Sequence, residues 1–92
     1  MERNEISEQE TRLFCALRNH GATWITSREL AKQAKVAERT ARAHLLKFVK
    51  LNIVDLAEVF PGHRYRLAEK ADKRNGSYIT RLMRAADVFG FK

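Results

Sequence analysis

The chain has 92 residues, and its 45% hydrophobic and 32% charged content describes one compact domain rather than two domains or a disordered segment. A lone Cys15 excludes an internal disulfide, and with His20, His44 and His63 far apart it offers no metal-binding spacing. The formal charge is +7, and residues 28–50 hold most of it, with seven basic side chains against two acidic ones. A basic block of this kind is the footprint of a polyanion partner, or else a solvated face.

The chain opens without a secretory segment, and no apolar run approaches the ~20 residues that span a bilayer. A cytoplasmic protein without a membrane contact is therefore expected if the source is a bacterium. The first helix is read over about residues 7–19. Ser7-Glu8-Gln9-Glu10 has the form of a capping box, and Leu13, Phe14, Ala16 and Leu17 follow at helical spacing. Cys15 falls at the border of this stripe and reads as a small buried hydrophobe. His20 precedes Gly21, the expected end of the helix.

Ala22-Thr23-Trp24-Ile25 favours a short strand, with Trp24 expected in the core. Thr26-Ser27-Arg28-Glu29 repeats the capping box and starts a second helix to about Ala34, with Ile25 and Leu30 as its hydrophobic staple. After the turn Lys35-Val36-Ala37, a third helix begins near Glu38 and ends near Lys50 to Asn52. Its core face is Ala41, Leu45 and Phe48.

Residues 53–59 have strand composition. Phe60-Pro61-Gly62-His63 reads as a turn, and Arg64-Tyr65-Arg66-Leu67 alternates as a half-buried strand should, which makes a β-hairpin. Tyr65, Leu56 and Leu67 are expected to stitch this hairpin to the helices. Residues 69–76 form a charged connection without apolar periodicity. A last helix, capped by Ser77, is expected over 78–88, with Ile79, Leu82, Met83 and Ala86 on one face.

The order of helix, short strand, helix, helix, hairpin and helix resembles the winged helix-turn-helix domains of bacterial transcription regulators. The sharpest part of the resemblance is the run from Leu30 to Leu45, where Leu30, Ala31, Val36, Ala41 and Leu45 match the motif's apolar positions. Lys35 departs from it where glycine is common in the turn, and Ala37 departs where serine often caps the next helix. The implied fold class is α+β: a three-helix core, a two-stranded wing and an extra C-terminal helix. The expected division is residues 1–68 for the DNA-binding domain and residues 69–92 for the linker and C-terminal helix.

The resemblance also implies a function, sequence-specific binding of double-stranded DNA with the third helix in the major groove. Arg39 is then the first choice for a base contact, because its guanidinium fork matches guanine O6 and N7. Thr40 suits a phosphate or a thymine methyl, and Arg42 and Ala43 face the accessible side or its margin. Glu38 would accept from cytosine N4, or simply interact with its helix terminus. Lys47 is expected on a phosphate, as are Ser27 and Arg28 at the start of the second helix. His63, Arg64 and Arg66 would bring the wing to a minor groove or its flanking phosphates.

Transcriptional regulation, most simply repression, is the expected role. Replication, partition or mobile-element accessory roles fit the same fold; a protein-interaction module is the alternative of another class, and the net +5 of residues 28–50 argues against it. No catalytic constellation or phosphate loop stands in the sequence, so no enzyme activity, cofactor or metal is expected. The last helix is expected to cover its apolar face either on the first helix or on a second copy, a homodimer through residues 78–91.

Overall fold

A computed structural model describes residues 6–91; the first five residues of the expected DNA-binding domain and Lys92 lie outside the described residues. The helix α1 spans Glu8–His20, and Ser7 caps it by accepting a hydrogen bond from the Glu10 amide at 3.1 Å. Strand β1 is Ile25–Thr26, and α2 follows without a break over Ser27–Ala34. Thr26 caps α2 through the Glu29 amide, also at 3.1 Å. Both helix starts were legible because a capping hydroxyl and its amide lie three residues apart in the chain.

Lys35 ends α2 in the left-handed conformation (φ 60°, ψ 45°), the backbone for which glycine is the default. Helix α3 spans Glu38–Lys50, and Ala37 gives it no side-chain cap. Ala41, Leu45 and Phe48 face the core, as the stripe required. Asn52 takes a positive φ of 66° after α3, and the Ile53 amide donates to the Phe48 carbonyl, which turns the chain towards the hairpin.

Strand β2 is Val54–Ala57 and β3 is Arg64–Leu67. They pair antiparallel with Leu56 opposite Tyr65, and β1 adds to the free edge of β3 with Ile25 opposite Tyr65. The sheet therefore has three strands in the order β1-β3-β2, one more than the hairpin alone. The expected four-residue turn is longer, because pairing stops at Ala57 and Arg64 and leaves 58–63 as the connection, with a cis Phe60–Pro61 peptide.

Four expectations need correction. The short strand starts at Ile25, not Ala22, and alternation then turns Ile25 inward and leaves Trp24 41% exposed. Trp24 lies under the Arg66 guanidinium instead of in the core. The charged connection contains a short helix, α4 (Ala71–Arg74), so the C-terminal part has two helices. The last helix, α5, spans Gly76–Phe89, and its N-cap residue is Asn75, two residues before Ser77. Asn75 donates from Nδ2 to the Leu51 carbonyl at 3.2 Å, which pins the start of α5 to the end of α3.

α5 packs on α1. Tyr78, Ile79, Leu82 and Ala86 join Leu13, Phe14 and Leu17 in one core with Leu30, Leu45, Phe48 and Ile53. The α4–α5 segment thus shares the core of the preceding elements. Met83, expected on the same stripe, sits at its margin and is exposed.

Candidate nucleic-acid interface

The start of α2, the start of α3 and the wing meet at one cleft of about 400 Å³, lined by Thr26, Ser27, Arg28, Glu38, Arg42 and the segment from Pro61 to Tyr65. The capping of α2 by Thr26 turns Ser27 and Arg28 into its first turn, where backbone amides lack carbonyl partners. The antiparallel pairing of β1 with β3 sets Thr26 opposite Arg64, which brings the wing over that helix start. Six of the eleven expected contact residues are therefore brought together: Ser27, Arg28, Glu38, Arg42, His63 and Arg64.

Within the cleft, Arg42 is paired with Glu38 one turn earlier at 3.1 Å, both side chains being well exposed. An exposed pair of this kind is weak, so the guanidinium stays available to another anion. Arg64 donates from one terminal nitrogen to the Gly62 carbonyl at 2.8 Å, and this holds it along the wing. Tyr65 forms the floor. Burial pushes its phenol pKa up, and the positive charge of Arg42 offsets part of that rise.

Arg39 and Ala43 are exposed on the outer face of α3, beside Arg42 and one turn or more from Lys50. Leu46 lies on that same face and is 51% exposed, opposite the core stripe. Leu46 and Lys50 were missed as candidates, although helical spacing from Arg39 and Ala43 already puts them there. Thr40 is half-buried on the flank of α3.

Lys47 and Arg66 are placed elsewhere. Lys47 reaches across to α1, its ammonium 3.3 Å from the Glu10 carboxylate and 5.5 Å from the centre of the Tyr78 ring on α5. Glu10 is only 2% exposed, so this lysine supplies the positive charge that a buried carboxylate needs. Arg66 bonds Asp55 across the hairpin at 3.3 Å and stacks over Trp24 at 4.4 Å. Arg74 of α4 joins Asp55 at 3.6 Å, so Asp55 ties the sheet to the C-terminal segment.

His44 is half-buried on α3, and His20 bonds Thr23 at 3.0 Å just beyond α1. Cys15 is buried in α1; desolvation pushes its thiol pKa up and nearby Arg18 moderates the rise. No metal-binding cluster and no helix long and apolar enough to cross a membrane occurs among the described residues.

No family model matches the sequence, and no curated protein does. Among solved structures, BpsR of Bordetella bronchiseptica, whose DNA binding is regulated by 6-hydroxynicotinic acid, superposes with a TM-score of 0.67 at 10% identity. That match covers 96% of this chain and 67% of BpsR. A possible transcriptional regulator from Methanosarcina mazei gives 0.66 at 18% identity over 92% of this chain and 74% of its own. Sso10a-2, a DNA-binding protein from Sulfolobus solfataricus, gives 0.61 at 15% identity over 88% and 84%. With the helix pair α2–α3, the hairpin behind it and these superpositions, the chain has the winged helix-turn-helix fold.

Proposed function

We propose that the chain binds double-stranded DNA as a transcriptional regulator, with the outer face of α3 in the major groove and the wing along the adjacent minor groove. The supporting observation is the convergence of Ser27, Arg28, Arg42, His63 and Arg64 on one cleft beside the exposed Arg39–Ala43 face. The fold neighbours BpsR and Sso10a-2 are described as DNA-binding proteins, which is in keeping with this reading. A helix of this diameter fits the B-DNA major groove, where each base pair shows its own donor and acceptor pattern.

In this reading Arg39 bonds a guanine edge, and Ala43 and Leu46 present methyl groups to thymine. Ser27, Arg28 and Arg64 hold phosphates and so fix orientation. Repression by occupying a promoter needs no more than this. Selection of bound duplexes from a random pool, followed by sequencing, tests the proposal. Enrichment of one short motif is the expected result. Recovery of an unenriched pool with steep salt dependence would replace sequence-specific binding with general DNA coating.

A further inference from the structure

The most exposed large apolar side chain among the described residues is Phe60, at 96% exposure. It stands near the apex of the 58–63 connection, beyond the last paired residues of the hairpin, Ala57 and Arg64. Val59 beside it is also exposed, and neither side chain belongs to the core or to the residues packed against it. No feature of the fold requires an aromatic ring here, since the hairpin is closed by backbone pairing and anchored by Tyr65.

The surroundings decide what such a ring would meet. The next four residues, Pro61 to Arg64, line the cleft that also holds Ser27, Arg28 and Arg42. The tip therefore projects from the side of the molecule where cationic side chains gather. The acidic Glu58 lies next to Ala57 at the root of the connection, and no acidic residue occurs between it and Arg64. An apolar ring at the end of a hairpin that borders a cleft holding Arg28, Arg42 and Arg64, with Glu38 as its one acidic member, matches nucleic acid, a polyanion outside with apolar base faces inside.

We propose that Phe60 is a wedge that enters the minor groove and inserts against one base step, kinking the duplex. Apolar side chains inserted from the minor groove partly unstack a step and bend DNA by roughly 20–90° towards the major groove. The step is a pyrimidine–purine step, because these unstack at least cost. Phe60 would thereby determine specificity at a position that α3 never touches. The inference rests on the DNA-binding reading and extends it to an indirect readout.

The test uses the full chain and a duplex recovered from the selection, carrying 2-aminopurine beside each candidate step and a donor–acceptor dye pair at its ends. Wild-type protein is expected to raise 2-aminopurine fluorescence at one pyrimidine–purine step and to shorten the end-to-end distance. Phe60→Ala should lose both signals and bind about tenfold more weakly, and Phe60→Leu should restore most of the bend. The substituted side chain is almost fully exposed, so circular dichroism and melting should match the wild type. Wild-type binding without bending or fluorescence change would overturn the wedge and leave DNA binding intact. Equal bending by Phe60→Ala would also overturn it. Failure of the wild type to bind any duplex would remove both readings together. A DNA-free dimer that Phe60→Ala dissociates would assign the ring to self-contact.

Discussion

Lys35 and Ala37 carry local costs that the rest of the domain has to offset. A non-glycine residue at φ 60° is disfavoured by about 1–2 kcal/mol, part of which glycine returns through its freer unfolded chain. Lys35→Gly is therefore expected to stabilise the domain by about 0.5–1 kcal/mol. Ala37→Ser would supply the missing cap of α3 and is expected to add about 1 kcal/mol. Urea titration of each variant checks both, and a fall in midpoint for Ala37→Ser would mean that α3 begins elsewhere. Lys47, expected on a phosphate, pairs with Glu10 of α1 in the free protein. With its ammonium on the buried Glu10, Lys47→Ala should cost about 1–2 kcal/mol, less than a fully buried pair because the lysine is half exposed. Its DNA affinity should keep the wild-type salt slope. A slope reduced by about one unit, with unchanged stability, would return Lys47 to phosphate binding. Cys15 and Tyr65 both have ionisations raised by burial. A raised pKa means that the folded state holds its proton longer than the unfolded chain. The associated stability is fully present below the ordinary thiol value of 9.0 and is lost as pH rises through the folded value. Thermal melts should therefore fall progressively above about pH 9, and more shallowly in Cys15→Ala.

At the scale of elements, α3 does two jobs on two faces. Ala41, Leu45 and Phe48 hold it to the core, and the opposite face presents Arg39, Arg42, Ala43, Leu46 and Lys50. Arg39→Ala should lose about 1–3 kcal/mol of discrimination between target and scrambled duplex, because a bidentate guanine contact is worth that much. Titrations on both duplexes across several salt concentrations check it, and equal losses would reassign Arg39 to a phosphate. The wing is fixed less by its turn than by Tyr65, which meets Leu56 on one side and Ile25 on the other. The positions of α1, α2 and α3 were readable because caps and stripes are encoded within a few residues. The reach of Lys47 to Glu10 and of Arg66 to Asp55 was not, because each partner lies on another element.

For the whole molecule, the question left open by the last helix was which surface covers it. α1 of the same chain takes Ile79, Leu82 and Ala86, and Asn75 and Arg74 fix the segment to Leu51 and Asp55. The apolar area left for a second copy is small: Met83 at the margin, and Val88 and Phe89 towards the end of α5. Sedimentation equilibrium without DNA is expected to show a monomer in the low micromolar range. A dimer that persists there and is lost in Val88→Glu would place the partner copy on the end of α5.

The sequence alone determined the starts of α1, α2 and α3, their core stripes, the presence of the hairpin and the basic maximum, because each depends on neighbours within a turn or a strand. Ser27, Arg28, Glu38, Arg42, His63 and Arg64, expected from the resemblance, line one cleft. Only the tertiary structure decided that Trp24 lies outside under Arg66, that Lys47 serves Glu10, and that the C-terminal helices complete the core. A side chain with a local partner is settled by spacing along the chain. A long cation on a helix flank has several partners within reach, and only the packing of the other elements selects among them.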